Sequence, residues 1–147
     1  MKSKISMMIV IISVLILGLC GCGKESGVNP ADLSLVGNVE KSKEAKDINA
    51  IEEVQYAMGL ALSLKNCSEL NIELVYSGTG SINIKSPTQI INSDNDNEMI
   101  TGFLNEAASI AYKENYEFKS KKFIKDDKVV FKISNGTVTV SYTGNGL

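Results

Sequence analysis

The chain has 147 residues with 15 lysines and no arginine, 17 acidic side chains, no histidine, no tryptophan and a formal charge of −2. Mild acidity without arginine argues against nucleic acid as a partner, because phosphate binding requires a clustered positive surface and arginine makes the bidentate contacts to phosphate and guanine. Without histidine there is no Ser-His-Asp or Cys-His nucleophile and no His-containing metal cluster, and the adjacent pairs Glu52-Glu53 and Asp126-Asp127 diverge in a helix or turn, so no reaction can be read from the sequence and no cofactor is implied.

In chain order, Lys2 and Lys4 precede an apolar run from Ile5 to Leu19, and a small residue, Gly21, stands before Cys22. This is the three-part layout of a secretory signal peptide. The stretch Leu19-Cys20-Gly21-Cys22 resembles the lipobox of bacterial lipoproteins. Leu19 three residues before the acceptor and Gly21 directly before it match that pattern, and Cys20 stands where small residues are usual. The resemblance implies a diacylglyceryl group on the Cys22 thiol, cleavage between Gly21 and Cys22, and a protein held by its lipid on the extracytoplasmic face of the cell membrane. Cys20 is the poorer acceptor because bulky Leu19 would precede it. A plain transmembrane anchor is disfavoured, since 15 apolar residues are fewer than the ~20 needed to span the hydrocarbon core. Removing residues 1–21 takes Lys2 and Lys4 away and carries the charge from −2 to about −4.

Cleavage also removes Cys20, and the lipid occupies Cys22, so Cys67 is left as a single thiol and no intrachain disulfide forms. Cys67 reads as a small buried apolar residue at a helix end, with intermolecular pairing as the alternative. From Gly23 to about Lys46 no apolar period develops. Gly23, Gly27, Asn29-Pro30 and Gly37 punctuate the segment and charged side chains solvate it, so it reads as a flexible tether. Its end, Val39 to Lys46, is rich in helix formers and could extend the next element backwards.

A helix is predicted over 47–65, where Ile51, Val54, Met58, Ala61 and Leu62 share one face and Ile48 and Leu64 widen it. Asp47 or Asn49 caps its start, and Gly59, costly in a helix interior, marks a close packing point. From Leu70 the apolar period changes to two. Leu70, Ile72, Leu74 and Tyr76 alternate with more polar positions and, after Gly78-Thr79-Gly80, Ile82 and Ile84 do the same. The reading is a hairpin with a three-residue loop, pairing Tyr76 with Ile82 and Leu74 with Ile84, and ended by Pro87.

The polar run Asn92 to Glu98 invites a calcium loop. Counted from Asp94, however, the sixth position is Met99 and the last is Asn105, and counted from Asn92 they are Asn97 and Phe103; neither frame has the glycine and glutamate of an EF-hand. It reads instead as a loop whose Asn95 or Asp96 caps a second helix, 97–113, with Ile100, Phe103, Leu104, Ala107 and Ala111 on its inner face. Tyr116 to Lys125 then reads as an edge strand with a bulge near Ser120. Lys119, Lys121, Lys122 and Lys125 form a candidate partner-binding edge there, open to strand addition or charged docking, with anionic lipid or peptidoglycan as the sharper reading and a solvated edge as the plain one. Asn135-Gly136 is the preferred pair for a two-residue type I′ turn, and closing it pairs Ile133 with Val138, Phe131 with Val140 and Val129 with Tyr142 on one apolar face.

The expected fold is α+β: a small antiparallel sheet of four to five strands covered by two amphipathic helices, behind the signal peptide and tether. The expected organisation is signal peptide 1–21, lipidated N-terminus and tether 22–45, and a single domain over 46–147. An amphipathic helix entering an antiparallel sheet that ends in a Phe-x-Ile, Asn-Gly, Val-x-Val hairpin is similar to the globular head of type IV pilin-like proteins. That family's glycine-phenylalanine cleavage site followed by an apolar helix containing a glutamate is absent, and no functional residue carries over. Two functions are compatible with these features. The first is a lipid-anchored, non-enzymatic interaction or structural module of the cell envelope with a protein partner; the alternative is a small ligand-binding lipoprotein. A concave apolar cavity of ~300 Å³ or more would favour the ligand binder.

Overall fold

The computed structural model describes residues 30–92, 94–125 and 128–142. Gly21, Cys22 and the whole signal sequence lie outside the described residues, as does Asp126-Asp127. The chain divides into two units, Met1–Asp32 and Leu33–Leu147, and the second contains the fold. The elements among the described residues are α1 (Pro30–Lys65), β1 (Ile72–Ser77), β2 (Ser81–Asn83), β3 (Gln89–Ile91), α2 (Asn97–Ile110), β4 (Asn115–Glu117), α3 (Lys121–Lys125), β5 (Lys128–Ser134) and β6 (Thr137–Tyr142). This is an α+β fold. A four-stranded antiparallel sheet runs in the order β3-β1-β5-β6, and β2 pairs with β4 in a second, two-stranded sheet.

Helix α1 starts at Pro30, inside the segment expected to be a tether. Proline is well suited to a first helical turn, where its missing N–H leaves no bond unmade, and 39–46 is rich in helix formers. Contacts from this part of the helix to α3 add tertiary support that no apolar period announces. At the other end Asn66 adopts a left-handed conformation (φ 53°) and the Cys67 amide donates to Leu62 O at 3.0 Å, which stops the helix. The buried face carries Ile51, Val54, Met58, Ala61 and Leu62 as the periodicity predicts. Ile48 is half-buried and packs against the core, but Leu64 is 64 % exposed and a Cβ at Gly59 would meet nothing within 4 Å, so the stripe widens at Ile48 alone and no close packing point forms at Gly59.

The hairpin expected at Gly78–Gly80 does not form. Both glycines turn the chain with positive φ (75° and 63°), but β1 has its two edges occupied by β3 and β5, with Leu74 opposite Ile90 on one side and Phe131 on the other. A strand has only two hydrogen-bonding edges, so β2 leaves the plane and pairs with β4, Ile82 opposite Tyr116. Leu74, Tyr76, Ile82 and Ile84 are nevertheless all buried, and the Tyr76 hydroxyl donates to Ile84 O at 3.0 Å. The alternation reported burial correctly and pairing incorrectly. Strand β3 lies between Pro87 and the polar run, where no strand is predicted, and is docked by Thr88, whose amide and hydroxyl donate to Val75 O and Ser77 O.

Helix α2 is capped by the Asp96 side chain, which accepts from the Glu98 amide, and buries Ile100, Phe103, Leu104 and Ala107. It ends at Ile110 rather than Lys113 because Ala111 is extended. The β5–β6 hairpin has the predicted register throughout, Ile133↔Val138, Phe131↔Val140 and Val129↔Tyr142, around Asn135 and Gly136 at φ 52° and 72°. One continuous core joins α1, α2 and the inward faces of both sheets. Within it Tyr76 meets Phe131 edge-on at 5.8 Å, and Phe118 stacks on Phe123 at 5.1 Å. Cys67 is a free, buried thiol, consistent with its reading as a small core residue.

Candidate functional site: a lysine-walled groove over α1

Tyr116 to Lys125 is not the bulged edge strand the sequence suggests. After β4 the chain turns sharply into α3, and the turn is organised by Asp47. This carboxylate is completely buried on the same helical face as Ile51, Val54 and Met58. It accepts hydrogen bonds from the amides of Lys119 (2.9 Å) and Ser120 (2.8 Å) and from the Tyr116 hydroxyl (2.9 Å). A buried carboxylate is tolerated only when its lone pairs are filled in this way. Glu40 takes the next amide, that of Lys121, and Phe118 N donates to Gly80 O at 2.9 Å. Consecutive amides from Phe118 to Lys121 thus have partners, and the bare backbone edge expected there is absent.

The four lysines predicted to form one edge are divided. Lys121 and Lys122 belong to α3, where the Lys122 ammonium pairs with Glu44 of α1; Lys125 lies in the last turn of that helix, exposed. Lys119 alone turns to the other side of the Asp47 junction and lines a groove.

That groove has a volume of about 520 Å³ and runs between the middle of α1 and the α2–β4 connection. Buried Ala50 and Val54 and half-buried Ala111 and Tyr116 line it. Along α1 its wall is Lys43, Lys46, Asn49 and Glu53; opposite stand Tyr112, Lys113 and Lys119. Most of these wall residues are exposed, Tyr112 by 85 %, so the feature is an open groove rather than an enclosed cavity. Lys43 lies 3.9 Å from Glu40. Lys46, Lys113 and Lys119 make no ion pair among the described residues. The Tyr116 phenol is pushed up to about 12, first by burial, then by its hydrogen bond to Asp47 and by the negative charges of Asp47 and Glu53.

Among the described residues no three acidic or thiol side chains come together as metal ligands, and no helix is long and apolar enough to cross a membrane. The sequence reading missed Lys43, Lys46 and Lys113, which appear as solvating charges, and treated Asp47 as a helix cap. The available signal was an acid standing four residues before Ile51 and seven before Val54, on the inner face of a predicted helix. No family model, curated protein or solved structure matches this chain.

Proposed function

We propose that this chain is a bacterial lipoprotein, lipid-anchored through Cys22 on the extracytoplasmic face of the cell membrane, whose folded unit is a non-enzymatic interaction module that receives a partner in the groove over α1. The observation that carries the binding reading is the groove itself, about 520 Å³ with small apolar side chains within it and three unpaired lysines around it. Exposed, unpaired side chains of one sign beside buried apolar surface form a place where another molecule is steered and then held. The anchor rests on Leu19, Gly21 and Cys22 in lipobox order behind Lys2, Lys4 and the apolar run. The volume also favours the second reading, a small ligand, since it exceeds the ~300 Å³ typical of the smallest ligand sites; the open walls favour a partner's segment.

Cys22→Ser is expected to release the protein from the membrane fraction, because each buried acyl CH₂ contributes ~0.8 kcal/mol to anchoring. Mass spectrometry of the mature N-terminus checks this, and an unmodified residue other than Cys22 there would sink the anchor. For the module, a photoreactive residue at Lys113 in intact cells should capture one discrete protein that the same residue at Thr139, exposed on β6 and outside the groove, does not. Equal capture at both positions, or none, would remove the groove as the docking place.

A further inference from the structure

We infer that the groove's occupant is an acidic peptide segment of a protein partner, carrying one apolar side chain between its carboxylates. The inference rests on the binding reading above and names the chemistry of what binds.

Charge is the first argument. Four lysines and a single carboxylate, Glu53, line the groove, on a chain whose formal charge is negative overall. Buried Asp47 lies against Tyr116 and Glu40 stands beside Lys43, but the lysines outnumber these carboxylates and Glu53 together, so the rim is locally cationic on an acidic chain and its complement is an anion. Every cation in it is a lysine, a compact point charge that serves single carboxylate oxygens well and has no planar fork for bidentate phosphate recognition. The apolar surface is the second argument. Ala50 and Ala111 are small, and with Val54 they form an apolar floor whose own side chains cannot hydrogen-bond, while the polar groups, Asn49 among them, stand on the walls and the Tyr116 hydroxyl donates to Asp47. A bare polyanion would leave that floor uncovered, and a sugar ring laid on it would find bonding partners only on the walls. An aliphatic or aromatic side chain covers it and needs no such partners, and exposed Tyr112 at the mouth adds a ring face to cover that side chain.

The test uses the full-length chain in detergent and a labelled peptide, Glu-Glu-Leu-Glu-Glu, followed by fluorescence anisotropy. This peptide is expected to bind about tenfold or more tightly than either Glu-Glu-Gly-Glu-Glu or Lys-Lys-Leu-Lys-Lys, with affinity falling as salt screens the lysines. Lys113→Glu combined with Lys119→Glu should weaken it by about tenfold or more, whereas Lys125→Glu, outside the groove, should leave it unchanged. Circular dichroism melts of the variants guard against a folding defect, since all three side chains are exposed. Equal binding of the leucine and glycine peptides, unchanged binding by the double variant, or binding only to phosphatidylglycerol vesicles would each overturn the acidic-peptide assignment. A protein captured from Lys113 whose cross-linked segment is not acidic would overturn it too, while leaving the binding reading standing. Absence of both capture and peptide binding would end both.

Discussion

The four-stranded sheet and the β2–β4–α3 corner are held in different ways. In the sheet, successive registers bring apolar side chains together, Leu74 opposite Phe131 and Phe131 opposite Val140, so stabilisation is spread over many contacts. The corner consists of two three-residue strands and a five-residue helix, elements too short to be stable alone. Its rings pack on the core, but its backbone direction is set by polar bonds, chiefly those of buried Asp47, which gathers two amides and a hydroxyl, beside Glu40, which takes the Lys121 amide. Loss of apolar burial in the sheet is felt throughout the shared core, whereas loss at a polar junction falls on the groups bonded to it. The groove lies beside that junction, so Asp47 positions Lys119.

The largest expected effect tests the sheet. Phe131→Ala should cost about 3 to 5 kcal/mol, because Phe131 is fully buried and meets Tyr76 edge-on. Thr139→Ala on the exposed face of the neighbouring strand should cost under about 0.5 kcal/mol. Denaturant melts measure both, and equal losses would mean that burial is not what holds the sheet. Asp47→Ala comes next, at about 2 to 4 kcal/mol, since it leaves two amides and a hydroxyl without their acceptor. Its signature is local: hydrogen exchange at Lys119 and Ser120 should accelerate while Leu74 and Phe131 stay protected. Uniform acceleration would erase the distinction between the regions.

Tyr116→Phe should cost about 1 kcal/mol through loss of the bond to Asp47. It also carries a pH signature. The unfolded chain gives up the phenol proton near 10.0, while the folded protein holds it to about 12. The folded state therefore binds the proton more tightly, and stability falls as pH rises from about 10 through about 12. Burial pushes the Tyr76 phenol up as well, so alkaline melts of the variant should lose only the part of the fall that Tyr116 supplies; an unchanged alkaline profile would show that Tyr116 does not contribute. Smallest is a gain. Gly59→Ala should stabilise by about 0.5 to 1 kcal/mol, because the position is mid-helix and a Cβ there meets open space. As α1 packs into the core shared by both regions, sheet and corner melts should rise together, and a gain confined to one would separate them.

Local chemistry decided a good deal by itself. Asn135-Gly136 with alternation on either side determined the β5–β6 register, because turn and pattern act over neighbouring residues and agree. One-sided periodicity determined the inner faces of α1 and α2, and alternation determined that Leu74, Tyr76, Ile82 and Ile84 are buried. Which strand pairs with which was decided only in three dimensions. β1 can serve two neighbours, and distant β5 and short β3 occupy its edges, leaving β2 to meet β4. The groove was decided there too: Lys43 and Lys46 stand far along the chain from Lys113 and Lys119, and each reads locally as a solvated charge. The Asp47 junction, joining α1 to a turn 72 residues later, together with the contacts of Glu40 and Glu44 to α3, brings them around one hollow, and no local pattern encodes bonds across that separation.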